Sequence, residues 1–135
     1  MRTKPCLTLA DCKLLMAAAE AEATRNGWSV TIAIVDDGGH LLLATRMDGS
    51  TPAHAEIAFE KAHTSAISRR TTKAWEERVA SGRLAMLKMP VLPVQGGVPI
   101  MVNGECVGAV GVSGVQSQDD ERIARAGIDA LLAGQ

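Results

Sequence analysis

The sequence predicts an α+β fold in which an antiparallel sheet is layered with helices, and three observations carry that expectation. The dipeptide Asn103-Gly104 separates two apolar runs, and the Gly-rich turn Asp36-Asp37-Gly38-Gly39 separates two more. Helix-forming stretches stand before, between and after these pairs. Strands that arrive as hairpins, rather than alternating singly with helices, belong to antiparallel sheets. The chain has 135 residues, 47% hydrophobic and 21% charged, which is the size of one domain spanning residues 1–135. A domain of that length buries about two-thirds of its unfolded surface, so it needs neither a disulfide nor a structural metal to fold.

The elements follow in order. Thr8 and Asp11 have capping-box spacing. The Leu- and Ala-rich stretch to Arg25 is then a helix stopped by Asn26-Gly27, with Leu14, Ala18 and Ala21 on one face. Val30 to Val35 is a β-branched apolar run, resumed from His40 to Arg46 after the tight turn. Ser50-Thr51-Pro52 supplies a cap and a first-turn proline for a helix from Ala53 to Ile67. Thr71 or Thr72 caps a shorter helix ending near Ser81-Gly82. The stretch from Gly82 to Pro93, with Pro90 and Pro93, reads as a folded-over connection. Val98 to Val102 and Glu105 to Val112 are the second hairpin, since Asn and Gly both tolerate the positive φ of its turn. Ser117 and Asp120 have capping spacing for a last helix to about Ala133. Its inner stripe is Ile123, Gly127, Ala130 and Leu131, and Gly127 marks where it presses on the sheet.

Composition excludes several functions. Fourteen basic residues against fifteen acidic ones leave a formal charge of −1, with no basic stripe to neutralise phosphates, so a nucleic-acid surface is not expected. Trp28, Trp75 and Phe59 are the only aromatic residues, few platforms for stacking bases. Cys6, Cys12 and Cys106 fit neither a zinc motif nor a disulfide framework and read as reduced thiols. The opening Met-Arg-Thr-Lys-Pro runs into charged residues, so the expectation is a cytoplasmic protein with no signal peptide and no membrane association.

Chemistry-bearing residues are few. The cluster Gly108-Ala-Val-Gly111-Val-Ser113-Gly114 lacks the order of the dinucleotide fingerprint. Glycines inside a strand call for close approach by a helix, a neighbouring subunit or a ligand, and the amides near Gly114 could receive an anion. His40, His54 and His63 are the candidates for acid–base work or ligation. His54 and His63 are nine residues apart on one helix and so face opposite ways at about 3.6 residues per turn. They cannot share an ion, but either alone could be an axial ligand of haem iron. Arg46, Asp48 and Lys61 stand where a sheet edge meets a helix and could grip a carboxylate. Ser113 lacks the nucleophile-elbow pattern, and no Ser-His-Asp set can be assembled from chain order. Asp120 and Glu121 could act as acid or base, although a first helical turn also explains them.

Several of these segments together resemble one family. They are Ile34-Val-Asp36-Asp-Gly38-Gly-His40-Leu, Arg46-Met-Asp48-Gly49, Lys61-Ala-His63-Thr64-Ser-Ala66, Gly96-Gly97-Val-Pro99-Ile, Gly108-Ala-Val-Gly111-Val-Ser113-Gly114 and Asp120-Glu121. In that order, over nearly the whole chain, the pattern is similar to the GlcG and haem-degrading, HbpS-like family, which includes the C-terminal domain of PduO-type proteins. The resemblance implies a profilin-like antiparallel sheet of about five strands flanked by helices. It also implies homo-oligomers, from dimer to octamer, with ligand sites near subunit interfaces, and haem as the candidate cofactor.

Two functions follow from the residues and the resemblance together. The first is a cytoplasmic small-ligand-binding protein that holds haem and degrades it in vitro. Arg46, Asp48, Thr64, Gly96, Gly97, Ser113 and Gly114 would bind the ligand, with His54 or His63 as axial ligand. The second is an enzyme of a catabolic pathway acting on a small organic acid. Its pocket would be formed by Arg46, Lys61, Gly96, Gly97 and Asp120, and Lys61, Asp120 and Glu121 would carry the chemistry. The shortage of aromatic rings counts against the first reading. A third, in which the chain only assembles with partner enzymes, also stands.

Overall fold

A computed structural model describes residues 1–135. The first helix, α1 (Leu9–Arg25), starts at Thr8, whose hydroxyl accepts the Asp11 amide at 3.1 Å while the Asp11 carboxylate accepts the Thr8 amide at 2.8 Å. The reciprocal bonds satisfy two of the amides that every helix start leaves free. The face it buries is not the expected one. Cys12, Leu15, Met16, Ala19 and Ala23 enter the core, whereas Leu14 is 46% exposed. Leu and Ala occur all round this helix, so its packing partner, rather than its periodicity, chooses the face.

Two hairpins build the sheet. The first joins β1 (Thr31–Asp36) to β2 (Leu41–Arg46), and the second joins β3 (Gly97–Val102) to β4 (Glu105–Ser113). Asn103 and Gly104 both have positive φ, 51° and 79°, as a type I′ turn requires. The strands lie in the order β2-β1-β4-β3, each pair antiparallel. The sheet therefore has four strands and not five. The remaining stretch that could have supplied a fifth carries Pro90 and Pro93, which have no amide hydrogen to give a ladder. It folds instead around a 3₁₀ turn, Leu84–Lys88.

Three further helices complete the fold: α2 (Pro52–Ser68), α3 (Thr72–Ala80) and α4 (Ser117–Ala133). Successive strand residues point to opposite faces, and the two faces hold different layers. Ile32, Ile34, Val110 and Val112 join Leu15, Ala19, Ile123 and Leu131 in a core between the sheet and the α1–α4 pair. On the other face Ala33, Val35 and Ala109 meet Ala58, Ala62 and Ala66 of α2. This second layer is close because most of the facing side chains are single methyl groups. A Cβ at Gly111 would overlap the Ala58 carbonyl oxygen and stand 2.5 Å from the Ala62 nitrogen. Close approach of a helix thus explains the strand glycine.

Two expectations about α4 change. Gly127 presses on α1 rather than on the sheet, since a Cβ there would lie 2.8 Å from Leu15 Cδ2 and 2.9 Å from its carbonyl oxygen. The N-cap is Gln116 rather than Ser117. The Asp120 carboxylate accepts the Val115 amide at 3.1 Å instead of closing a capping box. Trp75 of α3 donates from Nε1 to Ser68 Oγ at 3.0 Å and pins α3 to the end of α2. No helix is long and apolar enough to cross a membrane.

Candidate functional site

The residues singled out from the sequence separate into three groups around α2. The first is an interior ion pair. Lys61, 2% exposed, donates from Nζ to Asp120 Oδ2 at 3.0 Å and to the Val112 carbonyl at 2.9 Å. The Asp120 carboxyl is shifted above its ordinary value. Burial raises it, against the opposing pull of Lys61, the Val115 amide and His54. Gly96 and Gly97 make room for Lys61. A Cβ at Gly96 would fall 2.7 Å from Nζ, and one at Gly97 would overlap the Lys61 carbonyl oxygen. The structure therefore brings Lys61, Asp120, Gly96 and Gly97 together as neighbours in close packing. None of the four lines a surface concavity, and the pair ties α2 to the start of α4. Glu121 is not with them. One residue further along the helix, its largely buried carboxylate accepts Arg125 Nε at 3.1 Å through Oε2, while Oε1 is buried without a partner.

The second group lies at the end of the sheet where β2 stops and α2 begins. Thr31 is the register partner of both Arg46 and Ser113, so the three side chains share one face. Thr31 and Ser50 hydroxyls are 2.9 Å apart, and Arg46 Nε donates to the Ser50 carbonyl at 3.0 Å. Ser113 Oγ lies 2.8 Å from His54 Nδ1. This Ser–His contact joins residues 59 positions apart and has no local signature, so chain order could not reveal it. Ser113 is only 3% exposed. Asp48 is exposed and its backbone carbonyl accepts the Ser29 hydroxyl. Gly114 lies against the backbone of Ser29 and Val30.

The third group surrounds His63, on the opposite side of α2 from His54. A groove of about 390 Å³ runs between α2 and the connection after α3, walled by Phe59, His63, Thr64, Met89, Pro90 and Leu92. Thr64 Oγ1 accepts the Leu92 amide at 2.8 Å and moors that connection to the helix. His63 Nδ1 lies 3.0 Å from the Gly39 carbonyl oxygen in the β1–β2 turn. No protein group bonds its Nε2. The Phe59 ring stands 5.9 Å from the imidazole, centroid to centroid.

Only the third group fits a planar, iron-bearing cofactor: an imidazole with one nitrogen bonded to no protein group, lining a groove that also carries Phe59, Met89, Pro90 and Leu92. His54 lines no groove, and its Nδ1 is engaged with Ser113. Arg46 and Lys61, expected at the carboxylates of such a ligand, do not line the groove; its charged residue is Glu60. Of the expected ligand-binding set, Thr64 alone is in its wall. Phe59, Met89 and Leu92 carry no sequence signal as site residues, because single apolar residues in a helix and a loop look like packing.

Comparison with known proteins agrees with the fold and places the chain in a family. A family model described as "Haem degrading protein HbpS-like" matches residues 7–129. Protein GlcG of Escherichia coli K12 is 49% identical over 114 residues, covering 84% of this chain and 85% of GlcG. The crystal structure of a double mutant of HbpS from Streptomyces reticuli superposes with a TM-score of 0.87 at 32% identity, covering 97% of this chain and 90% of that one. The crystal structure of a PduOC:Heme complex gives a TM-score of 0.84 at 27% identity, covering 93% of this chain and 95% of that one. With the α+β architecture and nearly the whole length matched, the chain belongs to the HbpS-like family.

Proposed function

We propose that this protein is a cytoplasmic, homo-oligomeric binding protein for haem or a closely similar planar tetrapyrrole, held in the groove between α2 and the connection that follows α3. The observation that carries the reading is His63. Its Nδ1 is taken up by the Gly39 carbonyl, its Nε2 is unpartnered, and it stands in a groove walled by Phe59, Met89, Pro90 and Leu92. The family description and the heme complex of PduOC support it by similarity. Bound there, the group would supply iron-centred redox and oxygen chemistry. The chain supplies an apolar wall, a thioether at Met89 and a nitrogen donor. The enzyme reading built on Lys61 is not favoured, because that ammonium is sealed inside and already paired with Asp120.

Hemin titration of the purified protein tests this. The wild type is expected to give a saturable Soret shift. His63→Ala should weaken binding by about tenfold or more through loss of the one strong donor. His54→Ala should titrate like wild type. A His63→Ala protein that titrates like wild type would overturn the assignment.

A further inference from the structure

We infer that Gly39 is the positioning residue of the His63 site, fixing which imidazole nitrogen carries the proton and making the space in which the ring stands. The inference rests on the reading of His63 as an iron ligand. A backbone carbonyl only accepts, so the 3.0 Å contact with Gly39 requires the proton on Nδ1. The other neutral tautomer would set a nitrogen lone pair against the carbonyl oxygen. In the neutral ring Nε2 is thereby left with the lone pair, and His63 offers the groove an electron donor rather than a proton. That selects a ligand carrying a Lewis acid, such as a tetrapyrrole metal, over a flat molecule that needs a hydrogen bond from the protein.

The same residue provides the space. Gly39 has φ +85°, and a Cβ there would overlap His63 Nδ1, stand 2.9 Å from Cε1 and press on Ile67 Cγ2 at 3.1 Å. Any side chain at position 39 would therefore evict the imidazole. The carbonyl is held in place by its own turn. The Gly39 amide donates to the Asp36 carbonyl at 3.0 Å, and Asp36 Oδ1 accepts the amides of Gly38 and His40 at 2.9 and 3.0 Å. Arg69 Nη1 donates to the Asp37 carbonyl at 2.6 Å, tying the turn to the C-terminal end of α2. A metal-bound imidazole whose other N–H is hydrogen-bonded is oriented and is a stronger donor. The turn, 24 residues away in sequence, acts through His63 and not on the ligand.

The test uses the hemin-loaded His63→Gly protein, which should lose the wild-type Soret position. Free imidazole can both ligate iron and donate to Gly39; 1-methylimidazole can ligate but cannot donate. Imidazole is expected to restore the wild-type spectrum at about tenfold lower concentration than 1-methylimidazole, after dividing by the ratio for the same bases on hemin in detergent. An equal ratio overturns the role of Gly39. A His63→Gly protein that keeps the wild-type spectrum overturns the iron-ligand reading beneath it. The second arm is Gly39→Ala, expected to match His63→Ala in Soret position. A Gly39→Ala protein with native circular dichroism and a wild-type Soret maximum also overturns the inference.

Discussion

Lys61 and Asp120 show how a single buried contact decides what a residue can do. An ammonium and a carboxylate removed from water are tolerated only while each is the other's partner, so removing one leaves an uncompensated charge in the interior. Asp120→Ala is expected to cost about 3–5 kcal/mol in urea denaturation. The double variant Lys61→Met with Asp120→Leu should stay near wild type. A single variant within about 1 kcal/mol of wild type would contradict the pairing. The pH dependence has a definite sign. Because the folded-state pKa of Asp120 lies above its ordinary 3.8, the folded protein binds this proton more readily than the unfolded chain does. Its contribution therefore favours folding fully below 3.8 and declines as pH rises from there through the raised folded value. Measured against the double variant, which lacks this carboxyl, the wild type should gain stability as pH falls across that range and level off below 3.8. The sequence reading groups Lys61 and Asp120 in one pocket but carries no sign that they bond directly and seal each other in the interior, since 59 residues separate them. Gly39 was legible only as a turn residue, because its carbonyl acts on a ring that α2 brings to it.

At the scale of elements, local signals were readable and tertiary ones were not. The capping box of α1 and the Asn103-Gly104 turn are short-range chemistry, complete within four residues, and both stand where the sequence put them. The buried face of α1, the partner of Gly127 and the number of strands depend on what packs against what, and each came out differently. Thr8→Ala should therefore destabilise α1 by about 1 kcal/mol through loss of its cap. Gly111→Ala tests a tertiary contact and should do more. β4 is central and cannot move away from α2, and the added methyl would meet main-chain atoms of Ala58 and Ala62 rather than a side chain that could rotate. Overpacking of that kind costs about 3 kcal/mol, which thermal unfolding would register as a clear drop in Tm. A Gly111→Ala protein as stable as Thr8→Ala would mean that α2 can ride outward on the sheet.

For the whole molecule, the connection between α3 and β3 is the part that a single copy leaves least explained. Its 3₁₀ turn buries none of its residues, and Leu84, Leu87 and Met89 are 65%, 56% and 43% exposed. Clustered apolar side chains in water mark a candidate association surface, and a second copy of the chain is the occupant that the proposed homo-oligomer would supply. Light scattering is expected to give a mass that is a multiple of 14.2 kDa. Replacing Leu84 and Leu87 together with Ser should lower that mass while leaving the fold intact, since exposed positions of this kind shift stability by only about 0.5 kcal/mol. A wild-type mass of one chain at micromolar concentration would remove the oligomer from the proposal. The same connection supplies Met89, Pro90 and Leu92 to the wall of the His63 groove, so the two properties should be coupled. If copies meet over this segment, assembly holds the outer wall in place, and the Leu84, Leu87 double variant should bind hemin more weakly although it touches neither His63 nor Gly39. A lower mass with unchanged hemin affinity would place the interface away from the groove, and the wall would then rest on the Thr64–Leu92 hydrogen bond alone.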